Sequence, residues 1–209
     1  KFPVETRADF EAMRKRYDPE APGRFPADFK ARCALLRERD YAAGISFSGP
    51  FWQLREWCGF EPLCMFFLDD PGFVKEMILF WTEYVSRVMA PILDEGVLDY
   101  IHISEDMAYK EHSMISPAMA REFLQPAYTR WIREAQLAGV PIIDMDSDGK
   151  VAELLPLWIE SGVNVCDPME VAAGNDIQQY RRRFGRRIAF KGGVDKRCIA
   201  EGGKAIERE

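Results

Sequence analysis

The chain has 209 residues, 47% of them hydrophobic, and a formal net charge of -6. This is a globular composition with apolar material for one sizeable core, and its acidity argues against a general nucleic-acid surface. No run of about 18 apolar residues could cross a membrane and no basic-apolar-small leader opens the chain, so a cytoplasmic protein is expected.

Residues 6–17 read as a short helix with Thr6 as its N-cap. A linker at 18–23 leads to a second helix over 26–39. Residues 1–42 therefore form a helical excursion within a single domain spanning 1–209. Residues 43–49 form a strand ending in a glycine turn, and 51–59 an aromatic-rich helix. Asp69, Asp70 and Pro71 open a long helix to about Leu93, whose positions Phe73, Met77, Phe80, Val85 and Val88 form a core-facing stripe. A strand over 99–104 follows. Ser116 and Pro117 cap a helix running to Leu137, with a kink expected at Pro126. Then come a strand over 140–146, a helix over 151–161, a strand over 163–167, a helix over 176–184, a strand from Ile188 and a last helix. Regular β-α alternation with short connections predicts a parallel α/β barrel or a doubly wound sheet. About five strands are visible where a closed barrel has eight. The start at Lys1 and the stop inside a helical pattern lead us to expect a fragment.

Four of these strands run into acid-rich sequence, and in a parallel sheet all strand C-termini open on one face. Asp144, Asp146 and Asp148 form the densest group. Asp144 and Asp146 point the same way along a strand. Three acids so close repel one another unless a metal, a base or a proton intervenes. A helix N-cap at Asp148 would explain one acid and not three. An EF-hand loop is rejected, because its last acid and its flanking helices are missing. Glu105, Asp106, Tyr109, Lys110 and His112 offer acid-base groups in the loop after the preceding strand, or merely an exposed charged loop. Asp167 and Glu170 end the next strand. Lys191, Gly192, Gly193, Asp195 and Lys196 end the last, where glycine would let the backbone approach a ligand. His102, between Ile101 and Ile103, reads as a satisfied core histidine, and Cys166 as a small buried hydrophobe. The five cysteines show no CxxC spacing and read as reduced thiols, and two histidines are too few for a multi-histidine metal site. The arginines at 181–183, 186 and 187 read as a solvated helix C-terminus.

Residues 114–128, with Ser116-Pro117, Phe123, Pro126 and Tyr128, resemble the strand-loop-helix segment of the uroporphyrinogen decarboxylase superfamily. Residues 191–199 resemble its later "GN-L-D-P" strand end, and 162–168 stand at its "G-x-D" strand; the likeness covers 69–209. It implies a (β/α)8 TIM barrel and one of two chemistries. The first is a decarboxylase-like carboxy-lyase acting on a tetrapyrrole, without cofactor. The second is methyl transfer involving a corrinoid, with zinc or another divalent metal. Asp146-Ser-Asp148-Gly149 stands where the methyltransferases have His-x-Cys-Gly, so hard oxygens replace soft ligands.

On the lyase branch Asp146 or Asp106 would stabilise a protonated pyrrole, although acidic strand ends oppose a polycarboxylate substrate. On the methyl-transfer branch Asp146, Asp148 and Glu105 would hold the metal. Catalysis is thus expected from Asp146, Asp148, Glu105, Asp106 and Tyr109. Substrate binding is expected from Lys110, His112, Asp167, Glu170, Lys191, Gly192, Gly193, Asp195 and Lys196. Expected partners are a small-molecule substrate, a corrinoid protein and a second copy of the chain, with neither nucleic acid nor membrane. A ligand-binding barrel without turnover is the third reading.

Overall fold

The computed structural model describes residues 2–209. Five strands pair into one sheet: β1 (Gly44–Ser48), β2 (Tyr100–Ser104), β3 (Ile142–Asp146), β4 (Val165–Asp167) and β5 (Ala189–Phe190). Every pair is parallel and the spatial order is the chain order, β1-β2-β3-β4-β5. A doubly wound sheet reverses its strand order part-way, whereas a barrel does not. The fold is therefore a partial (β/α)8 barrel, with β1 and β5 at the edges of the sheet.

Helices α1 (Arg7–Arg14) and α2 (Phe29–Leu36) precede β1. Thr6 caps α1 in a capping box with Asp9. Phe10 and Tyr17 pack their rings against Trp57 and Phe80, and the Trp57 indole donates to Tyr17 Oη at 2.9 Å. After β1 the chain forms α3 (Pro50–Cys58), α4 (Phe60–Asp69) and α5 (Pro71–Asp94). Gly59, at φ +82°, separates α3 from α4. α5 starts as the sequence predicts, with Asp70 accepting from the Phe73 N–H and Pro71 in the first turn.

Between β2 and β3 the helix is interrupted where Pro126 predicted a kink. A short α6 (Pro117–Met119) runs through a π-helical turn (Ala120–Leu124) into α7 (Gln125–Leu137). The missing Pro126 N–H removes the hydrogen bond a continuous α-helix would need there. α8 (Leu155–Ser161) starts four residues later than expected, so Asp148 is not its N-cap. α9 (Ile177–Phe184), α10 (Lys196–Glu201) and α11 (Lys204–Arg208) complete the chain. No helix of the described residues is long and apolar enough to cross a membrane.

The core lies between sheet and helices. Ile101, Ile103, Ile143, Met145 and Cys166 are fully buried against Trp131, Tyr128, Trp158 and their neighbours. Strand side chains alternate. Facing these inward-packed residues away from the helices, the concave side of the sheet therefore carries Ser46, His102, Asp144, Asp146, Asp167 and Lys191. Barrel interiors are ordinarily filled with branched apolar side chains. Polar and charged groups in that place set this concave face apart from an ordinary barrel interior.

Candidate active site

The strand register builds the site. His102 lies opposite Asp144 across β2 and β3, and Asp146 opposite Asp167 across β3 and β4. His102 donates through Nδ1 to Asp144 Oδ2 at 3.0 Å, and its Nε2 lies 3.9 Å from Asp146 Oδ2. Lys191, just past β5, reaches back to Asp144 Oδ2 at 2.6 Å and Asp167 Oδ2 at 2.8 Å. The other oxygens, Asp144 Oδ1 and Asp167 Oδ1, are buried and have no hydrogen-bond partner. A cavity of about 570 Å³ opens on this face, lined by Ser46, Tyr100, His102, Asp144 and Lys191.

The charges perturb one another as their spacing requires. Burial pushes the Asp146 carboxyl up to about 6, helped by the Asp167 charge and opposed by His102. Burial also pushes Asp167 up, against its Lys191 hydrogen bond. Asp144 is held below the usual range, because its His102 and Lys191 hydrogen bonds outweigh its burial. The hydrogen bond to Asp144 raises His102, and those to Asp144 and Asp167 raise Lys191 against its own burial. His102 is thus hydrogen-bonded within the polar cluster on the concave face and is not the core histidine the sequence suggested. The two isoleucines beside it point to the helices, so period-2 alternation sends the imidazole the other way.

A rim of loops surrounds this layer. Arg55 pairs with Asp106 at 3.1 Å and stacks over Trp52 at 4.2 Å, while Asp106 takes an unusual positive φ of 39°. The rim loops are tied together. Met107 N–H donates to Ser147 Oγ at 3.1 Å and Lys150 N–H to the Tyr109 carbonyl at 2.9 Å. Gly149 N–H donates to Glu170 at 3.0 Å, and Glu170 pairs with Lys196 at 2.8 Å. Asn175 is buried beneath. Its amide donates to the Gly149 and Glu170 carbonyls, and its oxygen accepts from Val151 N–H and Tyr180 Oη. Nothing in the sequence distinguished Asn175 from a polar loop residue. A second cavity, about 370 Å³, lies on the rim between Tyr109, Lys110, Asp148, Glu170 and Arg197. Burial raises Asp148 there, with Glu170 and Asp106 adding to it. His112 sits farther out, its Nδ1 4.0 Å from Glu153.

Several expected site residues have other employment. Glu105, expected as a catalytic and metal-binding acid, is fully buried on the helix side of the sheet. It accepts from the Phe51 and Trp52 N–H groups at 3.3 and 3.1 Å, and from Tyr128 Oη. It thereby caps the N-terminus of α3 from a neighbouring element. Burial pushes its carboxyl up to about 8, against those three donors. The expected ligand set of Glu105, Asp146 and Asp148 therefore does not assemble. Gly192 and Gly193 owe their identity to close packing instead of ligand approach. A Cβ on Gly192 would lie 2.0 Å from the Pro168 carbonyl oxygen, and one on Gly193 2.1 Å from Ile177 Cδ1. Asp195 caps α10, accepting from Arg197 N–H at 2.9 Å, and pairs with the Arg197 guanidinium.

Among solved structures, a methyltransferase from Methanosarcina mazei shares this fold at a TM-score of 0.61 and 16% identity. The match covers 79% of this chain and 50% of that one, so this chain spans about half the neighbour's length. No curated protein matches the sequence. The family model described as "Uroporphyrinogen decarboxylase (URO-D)" matches residues 1–209, the whole chain, and the protein belongs to that family.

Proposed function

We propose that this chain carries the reaction centre of a URO-D-family enzyme that works by methyl transfer. The observation that carries this reading is the sign of the charge on the concave face. Asp144, Asp146 and Asp167 share that face, and its two cationic groups, His102 and Lys191, are already committed to them. At an effective dielectric of about 20, a substrate carboxylate roughly 5 Å from one such acid meets about 3 kcal/mol of repulsion. Lys191 and His102 offset two of the three acids, so Asp146 is the acid that a polycarboxylate tetrapyrrole would meet uncompensated. A neutral or cationic methyl-group substrate would not meet this repulsion.

In this reading Asp146 is the proton acceptor for the group that receives the methyl. It stands at the strand end, 3.9 Å from the His102 Nε2, with its side chain about one-third exposed. His102 and Lys191 fix the neighbouring acids, and the tied rim loops hold the mouth in shape. The methyl donor is a corrinoid presented by a separate protein. Carboxy-lyase activity is the second reading. It is favoured by one observation: the Lys191 ammonium lies on the concave face, more than half exposed, where it could receive a single carboxylate.

The test is to give the complete protein methylcobalamin with a thiol acceptor in one assay, and uroporphyrinogen in another. Methyl transfer without decarboxylation supports the first reading. Loss of carbon dioxide from the porphyrinogen overturns it in favour of the second.

A further inference from the structure

We propose that His102, Asp144 and Asp167 form a binding site for one divalent cation of the zinc or manganese type, and that the Lys191 ammonium is its exchangeable placeholder. Each of the three residues offers a ligand atom, and these atoms lie within 4.8 Å of one another. Ligands bound at about 2.1 Å to one ion stand roughly 3 to 3.5 Å apart, so modest side-chain rotation closes the set. The site differs from the one the sequence suggested. It reaches one layer below Asp146 at His102 and Asp144, stands level with Asp146 at Asp167, and uses neither Asp148 nor Glu105.

Acids on a strand end do not by themselves make such a site. The second observation is the state of the buried oxygens. The Asp144 side chain is only 6% exposed, and its Oδ1 is buried with no partner. Asp167 Oδ1 likewise has no donor, on a side chain 14% exposed that lies close enough to Asp144 for the two carboxyls to hydrogen-bond when one holds a proton. Buried carboxylate oxygens are nearly always satisfied, so two orphans on adjacent strands, beside one imidazole, point to a missing cationic partner. Lys191 meets only the Oδ2 atoms, with a single charge shared between two acids. A divalent ion supplies twice that charge at the same place.

The lysine can leave. Its side chain is 55% exposed, so its stem can swing toward solvent when an ion arrives. Asp146 Oδ2, 3.9 Å from His102 Nε2, stands where a carboxylate would orient the outer nitrogen of an imidazole that ligates through Nδ1. One nitrogen and carboxylate oxygens, without thiolate, select zinc, manganese or ferrous iron over copper(I). Cys166 is excluded from the set, since it alternates to the helix side of β4 and is fully buried there.

The site stands on this cluster alone and not on the methyl-transfer reading. The test is calorimetric titration of chelator-treated complete protein with zinc chloride, and separately with manganese chloride. The proteins are wild type, His102→Ala, Asp148→Asn and Lys191→Met, and thermal melting is followed with and without metal. One ion per chain is expected in wild type. His102→Ala should bind at least 10-fold more weakly. Asp148→Asn should bind as wild type does. Lys191→Met should bind at least 10-fold more tightly and show the larger rise in melting temperature on metal addition, because the resident competitor is gone. Absence of stoichiometric binding in both wild type and Lys191→Met would overturn the proposal. So would binding that ignores His102→Ala but is lost in Asp148→Asn. Methyl-transfer activity enters none of these readouts, so failure here leaves the proposed function to its own assay.

Discussion

Replacing Glu105 by Gln should change how stability depends on pH, and in the direction opposite to acids held ionised by ion pairs. The Glu105 carboxyl lies at about 8 in the folded chain against an ordinary value of 4.5. Below pH 4.5 folded and unfolded chains both hold the proton, so ionisation costs nothing. Between 4.5 and 8 the unfolded chain releases it and the folded chain keeps it. Stability therefore falls as pH rises, by about 1.4 kcal/mol per unit, or roughly 3 kcal/mol from pH 5 to 7.5. Gln does not titrate and lacks this loss. Its amide would face the Trp52 N–H, donor against donor, a pH-independent penalty of about 1–3 kcal/mol. Urea denaturation of both proteins at pH 5, 6 and 7.5 isolates the difference, since all other titrating groups are shared. The variant should be clearly weaker at pH 5 and should recover relative to wild type by pH 7.5. Parallel stability profiles would mean that Glu105 ionises as easily folded as unfolded.

Other consequences are open to measurement. Tyr128→Phe removes the hydroxyl that donates to Glu105 and should cost about 1–2 kcal/mol in wild type but little beside Glu105→Ala, where that hydroxyl has already lost its acceptor; additive losses in a double-mutant cycle would contradict the pairing. Gly192→Ala would set a Cβ 2.0 Å from the Pro168 carbonyl oxygen, at a φ of +90°, and should destabilise the chain by about 2 kcal/mol or more in the same denaturation assay. Asn175→Ala removes the hydrogen bonds that join the loops after β3 and β4, and those loops should become the first sites cut in limited proteolysis; an unchanged cleavage pattern would show the loops to be held by other contacts.

The β-α rhythm from Asp99 onward was legible because each strand is a short apolar run closed by acids, and each helix shows its caps and its stripe. Asp146, Asp167 and Lys191 were legible for the same reason: strand ends converge on one face. His102 and Glu105 were misassigned for one shared cause, a missing choice of side. Once Ile101 and Ile103 are assigned to the helices, alternation sends His102 and Ser104 to the concave face and Glu105 back into the core. The helix side also has a demand that no local pattern displays, the free N–H groups at the start of α3, which Glu105 meets from a position 54 residues away. The paired glycines carried the same ambiguity. Their positive φ and their contacts with Pro168 and Ile177 depend on where β4 ends, which the residues around them do not reveal.

Asp146 carries the proton in the proposed methyl transfer, and its substitution is the decisive perturbation. Turnover of methylcobalamin with a thiol acceptor should be measured for the complete protein, Asp146→Asn, and the rim variant Tyr109→Phe. Asp146→Asn should lose at least 100-fold in kcat, about the scale on which a positioned proton acceptor contributes, and Tyr109→Phe should change within a few-fold. Methyl transfer that survives Asp146→Asn unchanged would contradict this role for Asp146.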